Sequence, residues 1–251
     1  MEQTHLPMNH DPLLVGASFL IAIFTSYAAL AVINRLRQGV TGGGWLWMGA
    51  ATFGLGVWAM HFTAMTALQL DMLVAYDPLL TLASVFFAIF GAAAAFQLVS
   101  KSKVSFTQVL GAGFFLGAGI GVMHYVGMFA MRLDARLTFD LPMVALSVLV
   151  AVALGTFGIW TLTSPAFNLV PFRHLITAII TGSAIPFMHY TAMLAARFTA
   201  TGTEEIHSMV ASGSLLSLNL FLLLAVAVVG LPMFLTSLLE TSAEKAQEAE
   251  A

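Results

Sequence analysis

The sequence predicts an all-α integral membrane protein of seven transmembrane helices, and three observations carry that prediction. Hydrophobic residues fill 59% of the 251 positions and charged residues only 8%, against roughly a quarter charged in soluble chains; the mean hydropathy is +0.94. The apolar residues gather into seven runs, each able to supply the ~20 helical residues that cross a bilayer core. One short stretch is also written three times on alternate runs: Met60-His61-Phe62-Thr63-Ala64-Met65, Met123-His124-Tyr125-Val126-Gly127-Met128 and Met188-His189-Tyr190-Thr191-Ala192-Met193. An ionisable side chain inside an apolar run is costly in lipid and points to function.

The first span, 12–34, opens at Asp11-Pro12 and ends at Arg35 and Arg37. No basic residue precedes it, so it lacks the charged start of a cleavable signal peptide and counts as a span. The second, 45–68, carries the first motif and stops before Asp71. The third, 78–100, opens at Asp77-Pro78 and stops at Lys101 and Lys103. The fourth, 106–131, holds the second motif and ends at Arg132, and the fifth, 141–163, opens at Asp140-Leu141-Pro142. The sixth, 173–196, carries the third motif and ends at Arg197. The seventh, 214–239, has no motif His and runs into 240–251, read as a short solvated helical connector. The domain division is therefore 1–239 for the membrane unit and 240–251 for the connector.

Lys and Arg set the orientation. One side holds Arg35, Arg37, Lys101, Lys103, Arg173 and Lys245, the other Arg132, Arg136 and Arg197. The N-terminus is expected outside and the C-terminus in the cytoplasm. The chain has no cysteine, which excludes disulfides and thiolate metal sites.

Spans one to six read as three parallel two-helix repeats, which implies a pseudo-threefold axis along the membrane normal. A serine follows each opening Asp by seven residues: Ser18, Ser84 and Ser147. Small residues stand seven and five positions before each motif His: Gly54 and Gly56, Gly117 and Gly119, Gly182 and Ala184. They are expected to let the even-numbered helices approach closely at the axis. Pro186, three residues before His189, is placed to kink the sixth helix.

His61, His124 and His189 come out at matched depth, roughly 12–15 Å below the outer surface at 1.5 Å per residue. Three imidazoles there suffice for a metal site, and with a softer Met layer above them the expectation is one copper held mainly by the His residues or two stacked ions, the outer one Cu(I) on sulfur. Met65, Met128 and Met193 lie one helical turn further out on the same face. Thioether and imidazole together suit copper better than harder metals. Met60, Met123 and Met188 point about 100° around the helix and are further ligands or, more simply, core packing. Ser18, Ser84 and Ser147 reach about 10 Å by the same arithmetic and are expected to hydrogen-bond the imidazoles. Tyr125 and Tyr190 are read as supporting or packing groups beside them. A metal-free His–Ser packing network is the bland alternative. His5, Met8 and His10 are read as part of a disordered terminus rather than a surface metal trap, and Asn219 as an interhelical hydrogen bond.

These motifs at this spacing resemble the MHYT domain, a seven-helix bacterial membrane sensor module, over nearly the whole chain. Ser26-Tyr27-Ala28-Ala29-Leu30 and Tyr76-Asp77-Pro78 belong to the resemblance. It implies copper held by the motif His and Met residues and sensing of a diatomic gas such as O2, CO or NO. It also implies a cytoplasmic cyclic-di-GMP output through diguanylate cyclase or phosphodiesterase (GGDEF and EAL) domains, in cis or in trans. Phe62 departs from the name-giving motif and removes one phenol. No output domain is read in 1–251, so the chain is taken as a sensor fragment or a stand-alone form.

The competing readings are a copper permease or chaperone and a haem protein with bis-His ligation. A permease would carry polar ligands on toward the cytoplasm, where this sequence has Gly, Ala, Leu and Phe. Lys101, Lys103 and Lys245 are the only lysines and none lies in a span, which excludes a retinal Schiff base. No nucleophile–base pair, phosphate loop or nucleic-acid patch occurs, so the chain is not read as an enzyme. Its partners are the lipid bilayer, the gas and the output domains, with a homodimer left open.

Overall fold

A computed structural model describes residues 6–200 except 38–42, 71, 73, 102, 165 and 168–171. Each Asp ahead of a proline caps a helix. Asp77 Oδ1 accepts from the Leu80 N–H at 3.0 Å, Asp140 Oδ1 from Met143 at 3.4 Å, and Asp11 Oδ1 from Leu13 at 2.8 Å. The carboxylate satisfies a donor that the first turn leaves free, and proline in that turn loses nothing by lacking an N–H. The described helices are α1 (Pro12–Arg37), α2 (Gly43–Ala67), α3 (Pro78–Val99), α4 (Phe106–Phe129), α5 (Leu141–Thr163) and α6 (Arg173–Met193). Their ends fall within three residues of the first six sequence-based spans. Pro186 lies inside α6, and the helix continues through it to Met193. The seventh run, Asn219, residues 240–251 and His5 lie outside the described residues.

Five of these helices are long and apolar enough to cross a membrane. The other, α2, has 25 residues, and its Gly, Trp, Thr and His61 dilute its apolar character. It is sheltered by its neighbours, with most residues from Ala50 to Leu68 buried, so it needs less apolar surface of its own.

The sequence did not foretell the closure of each hairpin. The residues before an odd-numbered helix pair antiparallel with those after the following even-numbered one. Strand β1 (Asn9–His10) pairs with β2 (Leu68–Gln69), β3 (Ala75–Tyr76) with β4 (Met131–Arg132), and β5 (Ala135–Phe139) with β6 (Ala196–Ala200). Beside each pair a capping Asp donates its backbone N–H to a carbonyl near the even helix's end. These bonds run Asp11 to Ala67 at 2.9 Å, Asp77 to Ala130 at 2.8 Å, and Asp140 to Ala195 at 2.9 Å. Two residues past that carbonyl, Arg132 and Arg197 bind the carboxylates of Asp77 and Asp140, each at 3.0 Å. Gln69 holds that place in the first hairpin.

The helices form a closed ring in which each packs on the next and α6 returns to α1, while α2 also touches α4 and α6 across the interior. The small residues of the even helices do not meet one another at an axis, contrary to the sequence-based expectation. They face the odd helices. A Cβ on Gly54 would lie 2.6 Å from the Ile89 backbone of α3, and one on Gly117 2.6 Å from the Val152 backbone of α5. Gly182 meets Ile23 of α1, Gly56 meets Thr25 of α1, and a Cβ on Gly119 would lie 2.9 Å from the Gly91 Cα of α3. Close backbone approach is thus used at the ring's seams, and larger side chains such as Phe53, Leu116 and Ile120 fill the buried centre.

Candidate metal centre

Each even-numbered helix delivers one imidazole to a common point. His61, His124 and His189 are 0–1% exposed. Their Nδ1 atoms form a triangle with sides of 3.3 Å (His61–His124), 3.1 Å (His61–His189) and 3.1 Å (His124–His189). The rings stand nearly perpendicular to one another, with centroids 4.9–5.1 Å apart.

Hydrogen bonding alone does not satisfy this triangle. An imidazole nitrogen carries either a proton or an in-plane lone pair, so it cannot donate and accept through the same position. With three nitrogens, at least one close pair must set lone pair against lone pair or proton against proton. A cation on the triangle removes the conflict, because all three lone pairs then face positive charge. The dimensions fit: three nitrogens at about 2.0 Å from a tetrahedral ion lie about 3.3 Å apart. No other group of three potential His, Cys, Asp or Glu ligands stands together among the described residues.

The same orientation turns all three Nε2 atoms away from the triangle. Each is buried without a hydrogen-bond partner among the described residues. The expectation that Ser18, Ser84 and Ser147 bond the imidazoles is therefore overturned. The serines reach one ring further out. Ser147 Oγ lies 2.7 Å from the Tyr125 hydroxyl and Ser18 Oγ 3.4 Å from that of Tyr190. Ser84 faces the motif in which Phe62 has no hydroxyl, and there the Trp58 indole N–H is shared between the Thr81 carbonyl at 3.0 Å and Ser84 Oγ at 3.1 Å. Trp58 stands one turn before Phe62, with ring centroids 5.1 Å apart, and supplies the polar contact that Phe62 lacks. Helical depth arithmetic placed the serines at the right level and could not give their direction around the helix.

The methionines separate into two layers. Met60, Met123 and Met188 are buried in the main apolar cluster with Phe53, Leu116 and Ile120. Met65, Met128 and Met193 are buried in a second cluster with Leu68, Met131, Ala196 and Phe198, beneath the strand pairs. Met65, Met128 and Met193 thus stand together on the side of the imidazoles that carries the strand pairs. Bis-His haem ligation does not fit, since nitrogens 3.1–3.3 Å apart leave no room for a macrocycle between them.

Sequence reasoning missed Gly127 and Trp58. A Cβ on Gly127 would lie 2.6 Å from His61 Nε2, so this glycine makes room for a ring from another helix. Its signal was visible: Ala64 and Ala192 hold the equivalent motif position.

Fold and site together define a multi-pass, helical-repeat membrane protein with a buried triad of imidazoles. The chain matches the MHYT family, described as a bacterial signalling protein N-terminal repeat, over residues 3–42, 54–112, 117–173 and 182–247. It belongs to that family. It is 34% identical over 198 residues to the bifunctional diguanylate cyclase/cyclic di-GMP phosphodiesterase MucR of Pseudomonas aeruginosa, covering 76% of this chain and 28% of that protein. It is 30% identical over 191 residues to the cyclic di-GMP phosphodiesterase NbdA of the same organism, covering 74% and 24%. The signaling protein YkoW of Bacillus subtilis is 28% identical over 198 residues, covering 76% and 24%. The chain thus spans about a quarter of the length of these relatives. No solved structure matches it.

Proposed function

We propose that the chain is a copper-binding sensor unit in the bacterial inner membrane, of a diatomic gas or of metal or redox state, signalling to a cytoplasmic cyclic-di-GMP output. The observation that carries this reading is the buried Nδ1 triangle of His61, His124 and His189 with the Met65–Met128–Met193 cluster on its outer side. Imidazole alone serves several metals; added thioethers favour Cu(I). His61, His124 and His189 would hold the ion, with Met65, Met128 and Met193 as softer ligands above it. Bound copper would supply an open coordination position for a small ligand.

In this reading the three hairpins surround a pseudo-threefold axis, and the motifs lie in the outer leaflet with the N-terminus outside. A seventh helix at 214–239 runs through the connector 240–251 to the output. Any catalysis resides in cyclase or phosphodiesterase domains, as the names of the relatives suggest. The interior below the imidazoles argues against a permease. Two cavities of about 20 Å³ each lie there, lined largely by apolar side chains including Phe53, Leu116 and Ile159, with Thr181 reaching both and Ser26 one of them. A hydrated ion finds too few polar partners there.

The test is copper content of the purified chain and its variants. Wild type should take up copper near stoichiometrically and His124→Ala should lose most of it. Met128→Ala should weaken Cu(I) more than Cu(II). Wild-type protein that takes up no copper would refute the reading.

A further inference from the structure

At the outer mouth of each hairpin, the residue before the capping Asp carries a ring edge-on to the aromatic that follows a motif His. Tyr76 meets Phe62 and Phe139 meets Tyr125, each with centroids 5.4 Å apart, and His10 meets Tyr190 at 5.5 Å. The first two rings present carbon edges and a phenol. The third is an imidazole whose Nε2 is buried and has no hydrogen-bond partner among the described residues.

Two further features set this mouth apart. Met8 and Leu6 pack on the cluster that contains Met65, Met128 and Met193, and the Leu6 N–H donates to the Phe198 carbonyl at 3.1 Å. The segment expected to be disordered is therefore strapped across the outer methionines. The charges also differ. Arg132 and Arg197 stand on Asp77 and Asp140 at the other two mouths, whereas neutral Gln69 takes that position beside Asp11. A cation approaching between Asp11 and His10 meets a carboxylate and an imidazole, with no guanidinium at the equivalent place.

We infer that Met8 and His10 form a receiving site at the outer face that takes up Cu(I) and passes it to the Met65–Met128–Met193 layer, and from there to the imidazoles. This rests on the copper reading above. Thioether and neutral imidazole bind soft cations without losing a proton, so each step exchanges one ligand for another and the metal keeps its charge.

The full chain in detergent, offered Cu(I) as its bicinchoninate complex and followed by stopped-flow absorbance, tests the inference. His10→Phe installs the ring that the third hairpin uses at Phe139, and Gln69→Arg installs the guanidinium of the other two mouths. Each should slow loading by about tenfold or more, the scale on which losing one supporting group acts at a metal site. Final copper stoichiometry and the unfolding midpoint should stay at wild-type values. Unchanged loading in both variants overturns the inference and leaves the copper reading standing. A lower final stoichiometry in His10→Phe also overturns it, because His10 would then be a resident ligand. Wild type that loads no copper overturns both.

Discussion

Gly127→Ala should damage the imidazole triangle from outside it. The new Cβ would stand 2.6 Å from His61 Nε2, 3.0 Å from its Cδ2 and 3.4 Å from Phe62 Cζ. Reaching ordinary contact requires the ring or α4 to move by about 0.8 Å. His61 has little space to yield, being fully buried and wedged at 3.1 and 3.3 Å against the other two Nδ1 atoms. A displacement of that size would take His61 Nδ1 out of register with the other two nitrogens, now 3.1 and 3.3 Å away, where three nitrogens on one tetrahedral ion need to lie about 3.3 Å apart. The expected loss in copper affinity is about 10–100-fold, or about 1.4–2.8 kcal/mol. Competition titration against a Cu(I) chelator reads it. Gly121→Ala is the control on the same helix, since its Cβ would meet only Val148 Cγ2 at 3.6 Å. Ala64 and Ala192 fill the equivalent positions in the other motifs, so the refuting result is well defined: Gly127→Ala with wild-type affinity would mean that the site accommodates a third methyl.

Tyr125→Phe and Ser147→Ala should each destabilise the protein, and a double-mutant cycle on thermal unfolding should give a coupling of about 0.5–1.5 kcal/mol for their 2.7 Å hydrogen bond. Trp58→Phe should destabilise the protein more than Tyr125→Phe, because the indole N–H is shared between the Thr81 carbonyl and Ser84 Oγ and the smaller ring leaves a gap in a buried site. The Leu80 N–H and then Arg132 hold the Asp77 carboxyl below its ordinary value of 3.8. A carboxylate with a depressed folded value stabilises the fold above its unfolded value and loses that contribution as pH falls. The unfolding midpoint of Asp77→Asn should therefore lie below wild type at neutral pH and converge with it in strong acid. A reporter fused after Ala251 should be cytoplasmic and a tag at Met1 outside, as the Lys and Arg distribution requires.

The first six helices were legible because each begins at a polar stop and runs apolar for a bilayer's thickness, and their ends fall within three residues of expectation. His61, His124 and His189 were legible as a group because equal depth on repeated helices leaves few places for three imidazoles but together. Azimuth was not legible. Gly54, Gly117 and Gly182 were expected to pack closely, yet only the fold reveals Ile89, Val152 and Ile23 as their partners. Ser147 was at the right depth for His124 and turned out to bond Tyr125. Strands of two residues carry no periodicity, so β1 to β4 left no trace, and the pairing that orders His10 with them. The seventh span stands on hydropathy alone, since residues 201–251 lie outside those described.

X-ray absorption at the copper edge of the loaded chain tests the central claim most directly. Three imidazole nitrogens at about 2.0 Å are expected, with sulfur scattering that disappears in Met65→Leu/Met128→Leu/Met193→Leu. A shell of oxygen atoms without imidazole scattering, or copper that survives replacement of His61, His124 and His189 together, would contradict the account.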